Sequence, residues 1–179
     1  MPSATLVYRS RSFHAQYGKS DISQLIADIG TATHSESLEP EKGNVVLSTE
    51  KTRATKAFKE HYEECKQQGK VLLPQKDYDM IKGLVHGVEI EEQKVGGLHN
   101  DPACAKLLKA KDKICEASLF AEHGTGLMLK ARPDIYSKEL KAMGDVKTAQ
   151  DASPMGFSRD LFRRGYHIQA GHYLLLAEA

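Results

Sequence analysis

Two acidic residues and a lysine in the C-terminal half have the types and spacing to do chemistry together. Asp134 follows a proline, and Asp145 and Lys147 form an Asp-x-Lys triplet further along the chain. If the strands that carry them are neighbours, the two aspartates converge at one end of a sheet with Lys147 beside them. Two carboxylates brought close repel unless a positive charge neutralises them, and oxygen ligands favour Mg²⁺ or Mn²⁺. The pattern predicts a divalent-metal site.

A metal held in this way keeps water ligands and can accept a phosphate oxygen. Lys147 could then orient the attacking water or stabilise the developing charge, which is the chemistry of metal-assisted phosphodiester hydrolysis. From the residues alone, a plainer interpretation stays open. A single Asp-x-Lys triplet is common at a solvated strand end, and Lys130 with Arg132 is typical of an exposed sheet face.

Three strands are expected to position these residues. The pattern predicts a strand at 114–122, a turn at 123–126, a second strand at 127–136 and a third at 144–148. The second strand alternates between an apolar face and a charged face, made respectively of Leu127, Leu129 and Ala131 and of Lys130, Arg132 and Asp134. A strand with such a charged face is not built for a simple core.

Helices are predicted on both sides of this meander. Periodicity, caps and stops place them at 20–29, 52–68, 74–88, 102–108, 154–165 and 166–179, with a loop at 35–48. Residues 1–19 show no clear period and predict a poorly ordered arm.

Length and composition exclude several classes of protein. The 179 residues correspond to about one domain, and a net charge of +1 excludes a protein that coats nucleic acid by overall charge alone. No apolar run suffices for a membrane span, and the N-terminus lacks the apolar core of a secretory signal. Three cysteines without a Cys-x-x-Cys pair argue against a structural zinc or iron–sulfur site. We expect a reduced, intracellular protein.

Several short motifs follow one another in an order that resembles a known family. They are Ala131-Arg-Pro-Asp134, Gly144-Asp-Val-Lys-Thr148, Asp151-Ala-Ser-Pro154 and Gly165-Tyr-His-Ile-Gln-Ala-Gly-His-Tyr173, with Gly30-Thr-Ala-Thr-His34 and Leu38-Glu-Pro-Glu41 upstream. Together they resemble the PD-(D/E)XK nuclease superfamily, and within it the exonuclease VIII (RecE-type) branch of phages and prophages. The likeness is dense over residues 113–176.

The resemblance implies a role for each matching residue. It implies a metal site made of His34, Asp134, Asp145 and the carbonyl of Val146. It implies a catalytic role for Lys147, with Asp134, Asp145 and Glu116 as catalytic acidic positions. Read alone, His34 is also typical of a helix end, and Glu116 of a solvated strand.

DNA is the partner that the resemblance implies, and the local charge supports it. Basic residues exceed acidic ones between residues 130 and 164, although an ordinary charged helix would explain this surplus as well. The expected DNA-binding residues are Lys130, Arg132, Thr148, Arg159, Gln169 and Tyr173. Read alone, Gln169 could satisfy a local backbone group, and Tyr173 could belong to the core.

The resemblance further implies a fold and an activity. The expected fold is a single α/β nuclease domain over residues 1–179, with a restriction-endonuclease-like mixed sheet of three meandering strands and flanking helices. The expected activity is Mg²⁺-dependent exonucleolytic hydrolysis of duplex DNA ends, with Mn²⁺ as a substitute. Its setting would be phage-type recombination or repair in the bacterial cytoplasm. A single-strand annealing protein and a homo-oligomeric ring are the expected partners.

Two alternatives to this activity stay open. The chain could be an endonuclease of the same superfamily. It could also be a truncated, inactive remnant that only binds DNA or a partner, because the final core strand of the family is expected beyond Ala179. A missing strand would expose a sheet edge.

Overall fold

The structure is a computed structural model that describes residues 19–90 and 93–178, with the side chains of residues 23–89 and 96–178. Nearly all of the predicted N-terminal arm therefore lies outside the described residues. The described α-helices are α1 (Lys19–Leu38), α2 (Lys56–Gln67), α3 (Gln75–His86), α4 (Pro102–Leu108), α5 (Pro154–Arg163) and α6 (Tyr166–Glu178). None of them is long and apolar enough to cross a membrane.

The first helix runs well past its predicted end. The prediction ends it at residue 29, but the buried stripe of Leu25, Ile29 and Ala32 continues to Leu38. Thr33 satisfies its hydroxyl inside the helix by donating to the carbonyl of Ile29 at 2.7 Å. A glycine within a helix costs only about 1 kcal/mol, which burial of this stripe outweighs.

Side-chain caps fix the starts of three other helices. Thr55 accepts a hydrogen bond from the amide of Phe58 at the start of α2. Asp101 caps α4 and Ser153 caps α5, and a proline occupies the first turn in both. The starts of α4 and α5 confirm the sequence prediction, because a capping oxygen satisfies amides that the helix leaves unpaired, whereas α2 begins at Lys56 and not at the predicted Thr52.

The described strands are short and form four small sheets. They are β1 (Val45–Leu47), β2 (Val71–Leu73), β3 (Val88–Ile90), β4 (Gln93–Val95), β5 (Ile114–Cys115), β6 (Leu119–Glu122), β7 (Met128–Ala131), β8 (Ile135–Ser137) and β9 (Ala142–Gly144). Strands β1 and β2 pair in parallel, and β3 pairs antiparallel with β4. Strand β8 lies between β5 and β9, and β6 and β7 form a separate hairpin.

The predicted three-stranded meander is therefore corrected in its details. Each of the two long predicted strands breaks in two, at Glu116 and at Pro133. Glu116 has a left-handed backbone with a φ of 50°. Pro133 has no amide hydrogen to donate to a ladder. The third strand ends at Gly144, so the Asp-x-Lys triplet follows it rather than forming it. The prediction of a mixed α/β fold is confirmed.

Three apolar clusters hold these elements together. The largest packs α1 against β2 and α3 through Leu25, Ile29, Leu73, Ile81 and Val85. A second joins Phe58, Cys65 and Leu72 between α2 and β2. The third contains Leu38, Leu108 and Ile135, with half-buried Val146 against it. Through Val146, this third cluster packs against the Asp-x-Lys segment.

A buried ionic cluster, called here the Arg53 cluster, ties the segment before α2 to α1 and α3. Arg53 donates to Asp28 at 2.5 Å and to Asp77 at 3.0 Å. The Tyr62 hydroxyl donates to the same Asp28 at 2.9 Å, and Gln24 does so at 3.0 Å. Because the guanidinium lies between two carboxylates away from water, these elements are locked to one another.

Candidate active site

The hairpin of β8 and β9 brings the two aspartates opposite each other. Its register pairs Ile135 with Gly144. Asp134 directly precedes Ile135 and Asp145 directly follows Gly144, so the aspartates occupy the next position across from each other. The close approach needs a glycine, because a Cβ on Gly144 would come within 2.6 Å of the Ile135 side chain. The convergence predicted for Asp134 and Asp145 is thus a consequence of strand register.

Asp134 is held by the backbone of the opposite chain segment. The amide of Val146 donates to Asp134 Oδ2 at 2.5 Å. The break at Pro133 takes Asp134 out of the strand, and its side chain is largely buried. This hydrogen bond fixes the position of the carboxylate.

His34 reaches this place because α1 continues beyond Gly30. Its Nε2 atom donates to the carbonyl of Val146 at 2.8 Å, and Nδ1 lies 3.6 Å from Asp134 Oδ2. Val146 therefore contacts the site through both backbone groups, with its amide on Asp134 and its carbonyl on His34. These contacts link three of the four groups predicted for the metal site, whereas the carboxylate of Asp145 binds Lys147, Gln169 and Tyr173.

Lys147 makes an ion pair with Asp145 Oδ1, and its ammonium lies over the ring of Tyr166. Burial lowers the pKa of Lys147, and the Asp134 carboxylate opposes that shift. The lysine is still partly open to solvent. A partly desolvated ammonium beside two carboxylates is suited to hold a negatively charged group.

Helix α6 supplies the polar groups on the other side of Asp145. Gln169 donates to Asp145 Oδ2 at 2.6 Å, and the Tyr173 hydroxyl donates to the same oxygen at 2.9 Å. Gln169 also donates to the Tyr173 oxygen at 2.8 Å, so the two side chains act as one unit. Burial raises the pKa of the Tyr173 phenol, the Gln169 hydrogen bond opposes this, and the Asp134 charge adds to it. Both residues contact the site rather than only the core.

A cleft of about 810 Å³ opens beside these groups. Its walls come from α1, α4, α5 and residues 142–151, and they include Asp145, Lys147 and Thr148. Three arginines of α5 line it as well: Arg159, Arg163 and Arg164. An apolar interior with a few converging charged groups is typical of a ligand site.

The chain matches one known protein family over most of its length. Residues 21–179 match the family described as a PDDEXK-like domain of unknown function (DUF3799). The chain belongs to this family. No curated protein matches the chain, and no solved structure does. Membership confirms the predicted superfamily and the restriction-endonuclease-like α/β fold. A PDDEXK-like domain indicates a nuclease as the general class.

The side chains of three predicted site residues of this PDDEXK-like domain lie apart from the cluster around Asp145, although the Tyr173 hydroxyl also lies 3.2 Å from the Arg132 carbonyl. Glu116 and Arg132 bind each other, with Arg132 Nη2 at 2.7 Å from Glu116 Oε2 and Arg132 Nε at 2.8 Å from the Glu116 carbonyl. Lys130 lies over the exposed ring of Phe120 on the β6–β7 hairpin. The positive φ of Glu116 turns its side chain towards Arg132, which the alternating strand pattern could not predict.

The arginines of α5 differ in their partners. Arg163 and Arg164 both pair with Asp160, at 2.7 Å and 3.8 Å. Arg159 makes no ion pair within residues 19–90 and 93–178. Its guanidinium is thus the α5 cation most available to an anion in the cleft.

Sequence reasoning missed three polar contacts around the site. Tyr166 lies over Lys147, and His172 donates to the carbonyl of Lys130 at 2.8 Å. Asp112 accepts from the Ser137 hydroxyl and the Glu139 amide in the turn between β8 and β9. A helical wheel could have found the first two, because Tyr166 and His172 lie near the face of α6 that carries Gln169 and Tyr173. Nothing local pointed to Asp112.

The donor set fits a hard divalent cation by its chemistry. Its oxygen donors are the carboxylates of Asp134 and Asp145, which flank the paired residues Ile135 and Gly144, and the Val146 carbonyl, to which the His34 imidazole donates. Oxygen donors of this kind suit Mg²⁺ and Mn²⁺. Among the described residues, no three His, Cys, Asp or Glu side chains are close enough to hold a metal by themselves.

Proposed function

We propose that this PDDEXK-like domain is a Mg²⁺-dependent exodeoxyribonuclease that hydrolyses phosphodiester bonds at the ends of duplex DNA. The observation that carries the proposal is the β8–β9 register, which sets Asp134 across from Asp145 with Lys147 paired to the latter. Two aspartates on facing strands, with Asp145 and a lysine at the wall of a cleft, suit phosphodiester hydrolysis.

The metal would be held by Asp134, Asp145 and the Val146 carbonyl, with His34 completing its surroundings, and Mn²⁺ could take its place. When bound, a divalent cation polarises a phosphoryl oxygen and lowers the pKa of a coordinated water. The protein's own residues would orient these donors. His34 fixes the orientation of the Val146 carbonyl, and Gln169 with Tyr173 fixes the carboxylate of Asp145.

Lys147 is the residue proposed to act on the reacting phosphate. Its ammonium lies beside Asp145 at the wall of the cleft, where it can stabilise the charge that develops on a phosphoryl oxygen. Arg159 and Thr148 line the same cleft and would hold the DNA backbone, whereas Glu116 keeps a structural pair with Arg132. Lys130 on the hairpin of β6 and β7, and Arg132 directly after β7, would contact DNA.

The resemblance to the exonuclease VIII (RecE-type) branch supports the finer parts of the proposal. They are the preference for duplex ends, a setting in phage-type recombination or repair in the bacterial cytoplasm, a single-strand annealing protein as partner, and a homo-oligomeric ring. The α/β site itself would serve an endonuclease equally well, so the substrate test must separate the two activities.

Digestion of linear and closed circular duplex DNA tests the proposal. With Mg²⁺, we expect the wild type to consume only the linear DNA, and EDTA to stop the reaction. Asp145→Asn should lower the rate by about a thousandfold, because it removes a charge worth several kcal/mol in the transition state. Asp79→Asn, an exposed aspartate on α3, is the matched control and should leave the rate unchanged.

Other outcomes of this experiment have definite meanings. Cutting of circles would replace the exonuclease with an endonuclease. No digestion by a folded protein would overturn the enzyme proposal and favour a domain that only binds DNA or a partner. A separate melting experiment should show that Mg²⁺ raises the Tm of the wild type but not that of Asp145→Asn, since a ligand bound to the native state stabilises it.

A further inference from the structure

We propose that Tyr166 is a positioning residue that holds the ammonium of Lys147 in place through the face of its ring. The inference rests on the proposed nuclease function, because Lys147 is the group that it serves. It adds a third contact to the two hydrogen bonds that α6 already makes with the site.

The geometry is that of a cation–π contact. Lys147 Nζ lies 5.5 Å from the centroid of the Tyr166 ring, within the distance at which such contacts are attractive. The same ammonium pairs with Asp145 Oδ1. A lysine side chain has four rotatable bonds and would otherwise sample many positions around the carboxylate. Contact with the ring limits this sampling.

The ring, rather than the hydroxyl, carries this contact. Within the described part of the chain, the Tyr166 hydroxyl has no hydrogen-bond partner, whereas the hydroxyls of Tyr62 and Tyr173 both do. A residue that served only through its phenol oxygen would show such a bond. Phenylalanine at position 166 should therefore preserve the contact, whereas an aliphatic residue of similar size should lose it.

The corner between α5 and α6 fixes where the ring lies. Gly165 has a left-handed backbone with a φ of +70°, which lets the chain turn directly into α6 at Tyr166. His167 donates through Nδ1 to the carbonyl of Leu161 at 3.1 Å, and its ring packs against Phe162. The first turn of α6 is thereby tied to the end of α5, and the position of Tyr166 is set before any substrate arrives.

One helix face consequently reaches both partners of the Lys147–Asp145 ion pair. Tyr166 contacts the cation, and Gln169 and Tyr173 contact the anion. The three residues follow one another at intervals of three and four, so they lie on one side of α6. Because one helix contacts both Lys147 and Asp145, it can hold the two side chains in a fixed relative position.

Kinetics of three variants test this role. We expect Tyr166→Leu to lower kcat on linear duplex DNA about tenfold with KM unchanged, since the ammonium loses its orientation but DNA binding does not. Tyr166→Phe should stay within twofold of the wild type. The control is Ile168→Ala, an exposed residue of the same helix turn, which should also stay within twofold.

A spectroscopic readout does not depend on activity. In metal-free protein, the ring current of Tyr166 should shift the Hε protons of Lys147 upfield, with the signal assigned through Lys147→Arg. The shift should persist in Tyr166→Phe and disappear in Tyr166→Leu. If the wild type does not digest DNA, the proposed function fails and this measurement still decides the contact.

The opposing results are equally definite. A Lys147 signal that is unchanged in Tyr166→Leu would overturn the positioning role. Equal loss of kcat in Tyr166→Phe and Tyr166→Leu would assign the effect to the hydroxyl instead. A similar loss in Ile168→Ala, or a rise in KM alone, would show that Tyr166 only packs the helix corner.

Discussion

Two ionic clusters in this molecule share the same parts and differ in their access to solvent. The Arg53 cluster and the site around Asp145 each contain two aspartates, one cation and a tyrosine that donates to an aspartate. In the Arg53 cluster the side chains are 12%, 6% and 8% exposed for Arg53, Asp28 and Asp77. In the site, the exposed fractions are 30% for Lys147 and 18% for Asp145.

The difference shows how the same ingredients give a structural tie or a reactive site. An arginine is charged at every accessible pH and binds carboxylates with a rigid fork, so it locks three elements together. A lysine is a flexible point charge whose pKa responds to its surroundings, and here burial lowers it. Openness on one side then leaves carboxylate and ammonium available to a ligand.

Removing the cation from each cluster should separate the two roles most clearly. Arg53→Met leaves two buried carboxylates without a partner, so we expect the free energy of unfolding to fall by about 3–5 kcal/mol. Lys147→Met should cost about 1 kcal/mol or less, because its pair is partly solvated, and should abolish DNA digestion. Urea unfolding measures the first effect and the digestion assay the second.

The control for this pair is an exposed ion pair. Lys56→Met removes the partner of Glu60 on α2 and should change the free energy of unfolding by less than about 1 kcal/mol. The comparison between the clusters breaks if Lys147→Met destabilises the protein as strongly as Arg53→Met does.

Alkaline pH should act on the closed cluster through Tyr62. Burial raises the pKa of Tyr62 above its ordinary value of 10.0, and the hydrogen bond to Asp28 raises it further. Above pH 10 the unfolded chain therefore loses a proton that the folded chain retains, so stability falls as the pH rises. Tyr62→Phe should lower stability by about 1.5 kcal/mol at pH 7, because the bond to a charged acceptor is lost.

The result that tests the role of Tyr62 is the slope of the free energy of unfolding against pH, and not its value at pH 7. In urea unfolding between pH 9 and 11, Tyr62→Phe should lose less stability per pH unit than the wild type. Parallel curves for the two proteins would mean that the Tyr62 phenol does not couple to folding.

The smallest expected effect concerns the open side of the site. Arg159 has no ion-pair partner among the described residues, whereas Arg163 is bound to Asp160. Arg159→Ala should weaken binding of duplex DNA about threefold and reduce the dependence of log K on log salt by about 1, since one phosphate contact is lost. Arg163→Ala should have a smaller effect on the affinity for DNA and on its salt dependence. Fluorescence anisotropy in EDTA at several salt concentrations measures the binding of labelled duplex DNA. Equal effects of the two substitutions would show that Arg159 and Arg163 do not differ as DNA contacts.

Sequence patterns predicted those parts of the fold that depend on local chemistry. Capping residues and prolines gave the starts of α4 and α5, and alternation identified the exposed and covered faces of β7. The convergence of Asp134 with Asp145 followed once the two strands were taken as neighbours. Each of these depends on residues close together in the chain.

The parts that the sequence could not predict depend on distant contacts. The continuation of α1 past Gly30 follows from burial of Leu38 against Leu108 and Ile135. The three-residue strands β1 and β2 are too short for a periodic signal, and they form because they pair with each other. The Arg53 cluster joins three segments that no local pattern relates.

The register of the β8–β9 hairpin also bears on how this sequence can diverge. Adjacency of the two aspartates depends on the pairing of Ile135 with Gly144 and not on the number of residues between them. Insertions at the tip, beyond the bonds that Asp112 makes to Ser137 and Glu139, would lengthen the loop without displacing either acid. Homologues should therefore vary in the length of this tip while keeping both flanking ends, and a search pattern with a fixed gap would overlook them.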